Sequence, residues 1–497
     1  MAELYKCSIK GKLYKLLYKL NENTRIRVRT PVGLTDAEDT GENLGQGTLI
    51  GAVASAVNLD KGMEEYFEGE DNDKEIDDSE RKQEEKVYYA ETKLSPFLFQ
   101  DDIMNMSKSV QAAQSAIVKI ENLLESKLLD FNVSKCSVII VGEKRARVRA
   151  QQQADSTPLL LGGTNLKQVE AERYLGCWLA GTAAQSVAVT VTKRLGPAYE
   201  ALYQARSVVS DSRAGAVGGV TVMLDIFEMS IIPMLTFGCE TWHPLPKKTL
   251  KDLEKFSNSA LKAVFGLPKT GAPMASMYID TAMCLMKNRI LRQQILFIHH
   301  LATLPDNCLA KEYYIVQKTQ KLPGVVTMCQ DILNEYKLDS IEKYSKYQFQ
   351  KIVKNIIFNK NKAEIFEWAR GYKKIDFDRC SNETFERKTY LSSLNVADAR
   401  LFFRINYFLV PTFRLDFKNV QRYRTEKWLC PECVVRDQRD RHSSSDSQVV
   451  CEPDSHDHAR FFCPSNNQLR ENTNFSDPKQ EVAFFRKIIE RRKKQGM

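Results

Sequence analysis

Apolar positions divide the chain into an N-terminal stretch of short alternating runs and a long C-terminal stretch with helical period. Residues 3–21 read as a short amphipathic helix. TRIRVRT (24–30) alternates Ile26 and Val28 with Arg25, Arg27 and Arg29, so it reads as a strand with one basic face. A Gly- and Asp-rich loop covers 34–47, and small apolar residues at 48–58 predict a helix. Two β-like runs follow, VYYA (87–90) and PFLFQDDIM (96–104). Next, Val110, Ala113, Ile117, Ile120, Leu124 and Leu128 recur at helical spacing behind Ser107, which is placed to cap the helix. CSVIIV (136–141) has the composition of a buried strand ended by Gly142. Lys144 to Asp155, basic and Gln-rich, reads as a loop, and YLGCWL (174–179) as another strand.

From Ala184 to about Leu304 the pattern is helical, with helices predicted over 187–209, 214–232, 247–265 and 273–303 and a stop at Gly266-Leu267-Pro268. Residues 310–420 are rich in Lys, Tyr and Phe and also read as helical, and 436–454 form a polar linker. The last residues, FFRKIIERRKKQGM, read as a short basic helix or as unstructured, and there is no internal repeat. The pattern therefore predicts an α+β class: an antiparallel sheet with helices first, an all-α region after it.

Composition narrows the class further. A chain of 497 residues with 43% hydrophobic and 27% charged residues can build several domains with sizeable cores. Its formal net charge is +9, unevenly spread. Asp60 to Glu91 holds 14 acidic and 5 basic residues, a balance of −9 that leaves the rest of the chain at +18. A basic body with one acidic stretch, the solvated insertion 60–86, suits a polyanionic partner. The N-terminus has no apolar core of a signal peptide, and Ala214 to Gly238 carries Asp225, Glu228 and Pro233, too polar for a bilayer span, so no membrane partner is expected. Most of the 12 cysteines are scattered singly, as in the reducing nucleus or cytoplasm.

The sharpest local chemistry is Phe97-Leu98-Phe99-Gln100-Asp101-Asp102-Ile103. Adjacent carboxylates between apolar residues are costly to bury, because like charges repel and each resists desolvation. A tight hairpin tip facing a cation removes that cost, and two Mg²⁺ ions held by hard oxygen ligands are what nucleotidyl transfer uses. The segment resembles motif C of reverse transcriptases, an aromatic-x-Asp-Asp hairpin. Upstream, Gly41-Glu42-Asn43-Leu44-Gly45-Gln46-Gly47-Thr48 resembles motif B of non-LTR retrotransposon (LINE-type) polymerases, where glycines let backbone approach template and nucleotide. Downstream, Phe131-Asn132-Val133-Ser134-Lys135 resembles motif D, and Arg173-Tyr174-Leu175-Gly176 resembles motif E, the primer-grip hairpin. Pro233 to Trp242 looks like the end of the thumb helix, with Glu240 and Trp242 read as packing residues.

The resemblance implies a partial polymerase palm over 1–182, a helical thumb over 183–305 and a helical connector over 306–424. It also implies a zinc-knuckle segment over 425–475, followed by a basic tail over 476–497. It assigns catalysis to Asp101, Asp102 and Lys135, with Mg²⁺ on the two aspartates, nucleotide and template contact to Gly45, Gln46 and Gly47, and primer grip to Tyr174, Leu175 and Gly176. The family's third metal-binding carboxylate, from motif A, lies upstream of motif B, and only 40 residues precede Gly41. Motif A and the fingers are thus expected to be missing from this sequence, and the isolated chain to have little or no polymerase activity.

Cys430-Pro-Glu-Cys433 followed by His458-Ala-Arg-Phe-Phe-Cys463 supplies two pairs of soft or borderline donors that can close tetrahedrally on a structural Zn²⁺. Cys451 and His456 are rival ligands. The arrangement resembles the C-terminal Cys-Cys-His-Cys motif of the same family, implicated in nucleic-acid binding. Arg25, Arg27, Arg29, Lys193 and Arg194 are candidate phosphate contacts. The expected partners are an RNA template and a DNA primer or target. Two other readings stand beside RNA-directed DNA polymerase: a non-enzymatic nucleic-acid-binding remnant using thumb and knuckle, and a degenerate element without a selected function.

Overall fold

The structure is a computed structural model that describes residues 96–407 and 466–494, except 100–101, 128, 212–216, 268–273, 339 and 372–384, together with short strands between residues 25 and 93. The predicted helices at 3–21 and 48–58, the acidic insertion, Gly45, Gln46 and Gly47, Asp101, and the four candidate zinc ligands lie outside the described residues. The chain divides into two compact units, one of Met1–Glu172 with Leu179–Thr182, the other of Arg173–Trp178 with Ala183–Met497.

Among its described residues, the first unit shows two-stranded ladders and two α-helices. Strands β1 (Arg25–Ile26) and β4 (Glu38–Asp39) pair antiparallel, as do β2 (Arg29–Thr30) with β3 (Gly33–Leu34) and β5 (Tyr88–Tyr89) with β6 (Thr92–Lys93). β7 (Phe97–Phe99) and β8 (Asp102–Met104) form an antiparallel hairpin in which Leu98 faces Ile103 and Phe99 faces Asp102. Its apolar side packs on helix α1 (Val110–Ser126), where Ile120, Leu123 and Leu124 gather Leu98, Ile103 and Phe131 around them. The cap of α1 is Ser109, whose hydroxyl accepts from the Ala112 amide, two residues beyond the expected Ser107. Ser107 accepts instead from the Asn105 side chain.

Lys144 to Ser156 is helix α2, not the loop expected from its polarity. Its residues, KRARVRAQQQADS, are mostly strong helix formers, so propensity decides where no apolar stripe exists. CSVIIV forms a strand only at β9 (Ser137–Val138). After the hairpin β10 (Leu160–Leu161) and β11 (Thr164–Asn165), β12 (Lys167–Gln168) pairs with β9 in parallel. Helix α1 completes the β10 edge: Gln114 accepts from the Leu160 amide at 2.7 Å and donates to its carbonyl at 2.9 Å. β13 (Ala171–Tyr174) and β14 (Cys177–Ala180) then form the hairpin that leads into the second unit.

The second unit is helical, and its apolar periodicity fills two cores. The first lies among α3 (Ala183–Asp211), α4 (Gly219–Ile226) with the π turn Phe227–Ile231 and α5 (Ile232–Thr236) that continue it, α6 (Lys247–Phe265) and α7 (Met274–Thr281). Leu224, Leu235, Leu253, Phe256, Leu261, Phe265 and Tyr278 are fully buried there. The second core joins α8 (Met286–Ala302), α9 (Leu309–Gln320), α10 (Val325–Glu335) and α11 (Lys346–Arg370) through Ile298, Val326, Cys329 and Phe349. The predicted helix over 273–303 is two helices, because Thr281 to Leu285 turns at Ala282, whose φ is +52°.

The stop at Gly266 is a left-handed C-cap with φ of +61°. Two arginines of α13 (Val396–Asn406), which follows the short α12 (Tyr390–Ser393), bond the carbonyls at the end of α6: Arg400 donates to Val264 and to Ala263, and Arg404 to Gly266. Beyond α14 (Asn467–Glu471), the basic tail forms α15 (Pro478–Lys494), whose Phe484, Phe485 and Ile488 pack on Ile405. Among the described helices, Gly219–Thr236 is long and apolar enough to cross a bilayer, at a mean hydropathy of 1.5. Its Met223, Leu224, Phe227, Ile231 and Leu235 are core residues, and its two acids are ion-paired, Asp225 with Arg387 and Glu228 with Arg289 and Arg387.

Candidate functional site

In the first unit, the segments that carry Asp102 and Lys135 pack on helix α1 through Leu98, Ile103 and Phe131. The hairpin β7–β8 is anchored from beneath by Leu98 and Ile103, so its stem is apolar and its tip polar. Asp102 opens β8 opposite Phe99, with Gln100 and Asp101 between the paired strands. Its side chain is exposed, and Phe99 is 53% exposed. A carboxylate held there keeps its hydration, and its position at a ladder end leaves its oxygens free for an outside donor or cation. The segment resembling motif D closes against the same helix. Phe131 packs on the Ile120–Leu124 cluster, and a 3-10 turn over Val133–Lys135 follows. Its last amide donates to Asn132 at 2.9 Å, leaving the Lys135 side chain exposed.

The metal expectation can be tested on these donors. Among the described residues no three His, Cys, Asp or Glu side chains gather as metal ligands would. The described hairpin contributes Asp102 alone, and one carboxylate does not make a two-metal site. Cys430, Cys433, His458 and Cys463 fall outside the described residues, so the tetrahedral zinc arrangement stays an expectation from spacing.

The second unit holds the tip of the hairpin β13–β14. Tyr174 ends β13, and Leu175 and Gly176 make a two-residue turn with φ of +46° and +81°. Two positive φ values are what a primed hairpin turn requires, and Gly176 meets its half without strain. Leu175 does not: a branched side chain in the left-handed region costs roughly 1–2 kcal/mol, and this one is also 41% exposed.

What holds the tip is Arg194, on α3. One terminal nitrogen, Nη2, donates to the Gly176 carbonyl at 2.7 Å, with Cys177 Sγ at 3.7 Å. The other, Nη1, donates to the carbonyls of Phe237 and Leu235. The guanidinium thus ties the hairpin to the turn that ends α5, and it also faces the Phe237 ring at 5.5 Å. The fit leaves little slack. A Cβ on Gly176 would lie 3.2 Å from Phe237, and one on Gly238, whose φ is +75°, would lie 2.7 Å from Cys177 Sγ. Farther down the strand, buried Thr190 accepts from the Trp178 amide at 3.0 Å, while Lys193 lies over the Trp178 ring at 5.2 Å. Cys239, next to the clamped turn, is 1% exposed, and burial pushes its thiol up to about 12, with the Glu240 charge adding to the shift. Trp242 is buried, as a packing residue should be.

This geometry corrects one expectation. Arg194 is no free phosphate contact, since both its terminal nitrogens are engaged by backbone carbonyls. Lys193 keeps an exposed ammonium group beside Trp178. Arg25 and Arg29 lie in strands β1 and β2, and Arg27 is outside the described residues. Sequence reasoning missed the clamp because nothing in the period of α3 marks Arg194. The one signal within reach was Phe237-Gly238, an aromatic and a glycine at a helix end with no role of their own. Comparison of the chain with protein-family models, with curated proteins and with solved structures finds no significant match in any of the three.

Proposed function

We propose that the chain carries part of an RNA-directed DNA polymerase of the non-LTR retrotransposon type: palm residues from motif B onward, a helical thumb and connector, and a zinc knuckle. The observation that carries this reading is the hairpin that presents Asp102 at the start of its second strand, opposite Phe99, on an apolar stem. That is the geometry the aromatic-x-Asp-Asp pattern calls for. A second support is the Leu175-Gly176 turn, a primed hairpin tip at the position where the resemblance expects a primer grip.

In this reading Asp101 and Asp102 ligate Mg²⁺, which when bound supplies charge stabilisation for phosphoryl transfer. Exposed Lys135 contacts nucleotide phosphate, Gly45, Gln46 and Gly47 approach the template base, and Tyr174 to Gly176 touch the primer. Cys430, Cys433, His458 and Cys463 close on Zn²⁺ in a closed, structural site that binds rather than reacts. The partners are an RNA template and a DNA primer, held through backbone contacts that weaken with salt.

The test is binding of a DNA primer annealed to an RNA template, with and without zinc chelation, followed by primer extension with Mg²⁺ or Mn²⁺. Salt-sensitive binding with weak extension is expected. A chain that fails to bind primer–template at low salt ends the polymerase reading. Robust extension lost in Asp102→Asn keeps it and overturns the expectation that activity is impaired.

A further inference from the structure

We propose that Arg194 is the positioning residue of the primer-grip hairpin, setting the Leu175-Gly176 tip where the recessed 3′ end of a primer meets it; this rests on the polymerase reading given above. Three observations on the second unit point to it. First, the guanidinium spends its donors on both sides of a single joint, Gly176 on the hairpin and Leu235 and Phe237 on the helix end. A side chain placed merely to fill space would not need a bidentate fork aimed at two separate backbone segments.

Second, what the clamp presents is strained and apolar. Leu175 sits at φ of +46° and is 41% exposed, and Phe237 beside it is 58% exposed. Strain without burial is not explained by packing, and residues held in such conformations cluster where a ligand is gripped. Third, the joint is closely packed: a Cβ added at Gly176 would lie 3.2 Å from the Phe237 ring, and one at Gly238 2.7 Å from Cys177 Sγ. A tip fixed this tightly can orient a strand end, which a mobile turn cannot do without losing conformational entropy on binding.

Arg194 therefore acts through Leu175 and Gly176, without touching nucleic acid itself. The role differs from a phosphate contact in what it should affect. Loss of a phosphate contact weakens every duplex alike and lowers the salt slope. Loss of a positioning residue weakens the recessed 3′ end selectively.

The experiment measures dissociation constants of the full zinc-loaded chain for two labelled probes, an RNA template with a recessed DNA primer and a blunt RNA–DNA duplex of the same length. Wild type is expected to prefer the recessed end, and Arg194→Met to reduce that preference by about tenfold while leaving blunt-duplex binding nearly unchanged. Arg194→Lys keeps the charge but cannot bridge both backbone segments, so it should lose a smaller part of the preference; it also serves if the methionine variant does not fold. An unchanged ratio of the two constants in the folded variant overturns the positioning role while leaving the polymerase reading intact. A wild-type chain without preference for the recessed end removes the grip itself, and the inference with it.

Discussion

The hairpin of Phe97–Phe99 and Asp102–Met104 is held by its stem and leaves Phe99 and Asp102 at the ladder end exposed, whereas the hairpin of Ala171–Tyr174 and Cys177–Ala180 is held by its tip. The chemistry at each end explains the difference. A carboxylate such as Asp102 resists desolvation, so the fold anchors that hairpin through Leu98 and Ile103 and keeps the charged end hydrated. The Leu175-Gly176 tip has no charge to hydrate but does expose backbone carbonyls, and a guanidinium can capture those at little cost. A hydrated acidic tip is free to collect a cation from solution. A clamped apolar tip is suited to orienting something larger. Under the proposed polymerase reading, the two ends divide the work of collecting a cation and placing a primer.

The largest change to this arrangement should come from beneath the acidic hairpin. Leu124 is 5% exposed in a cluster with three buried members among the described residues, so Leu124→Ala removes a large share of that described cluster. A loss of about 3 kcal/mol is expected, read as early exchange of the Phe97, Phe99 and Met104 amides, which sit in the hydrogen-bonded pairs of the ladder, in hydrogen-exchange mass spectrometry. Retained protection there would mean that the stem is held by something other than α1.

The tip of the other hairpin should respond next. Arg194→Met removes charge-assisted bonds to three carbonyls on a half-exposed side chain, and about 2 kcal/mol is expected. Exchange should quicken at Gly176 and Cys177 and stay unchanged on α1. If both regions loosen together, the two hairpins are not independently held. Gly238→Ala should cost about 1–2 kcal/mol, through the positive φ and the approach of its Cβ to Cys177 Sγ. Leu175→Asn should instead stabilise the turn by up to about 1 kcal/mol, since Asn tolerates the left-handed region. Thermal melts compare the two, and a destabilised Asn variant would contradict the strain assigned to Leu175.

These hairpins also show what the sequence made legible. Phe97-Leu98-Phe99 and Ile103-Met104 flank the Asp pair with β-formers, so strand, turn and strand can be read from local residues alone. YLGCWL (174–179) reads as one strand, but the turn at Leu175-Gly176 splits it, and what holds that turn has no local mark, because Arg194 and Phe237 lie 18 and 61 positions after Gly176 and meet it only through packing. The helices up to α8 follow from period, apart from the break at Ala282, where a positive φ in a non-glycine residue leaves no compositional mark, while 310–420 reads as helical without the breaks that separate α9, α10 and α11. The loop expected over Lys144 to Asp155 is a helix because helix propensity outweighs polarity there. The α+β class and the change to all-α near residue 183 follow from the switch of period; the family resemblance rests on motif order.

The two halves of the comparison should also differ in alkali. Cys239, buried beside the clamped turn, has a folded-state pKa raised from 9.0 to about 12. Between those values the folded chain keeps a proton that the unfolded chain releases, so stability falls as pH rises through that range. Cys239→Ala should flatten this part of the fall, seen as a smaller loss of melting temperature between pH 9 and about 10.5 than in wild type. Equal slopes in the two proteins would mean that the thiol is not shielded by the turn.

The smallest effect on stability should come from Asp102→Asn, and it discriminates best between a structural and a chemical purpose for the acidic tip. Asp102 is exposed at the end of a ladder, and asparagine keeps its shape while replacing one acceptor oxygen with a donor amide and removing the charge. A turn acid that only confers solubility would change stability by no more than about 0.5 kcal/mol and alter nothing else. An acid placed to collect a cation would show the same small change in melting temperature together with a weakened response to Mn²⁺, measured by paramagnetic broadening of the resonances of Phe99 and Ile103. Broadening that persists unchanged in the variant would remove Asp102 from any metal role. Broadening lost with the fold intact would mark this tip as the end that collects, against the clamped tip that places.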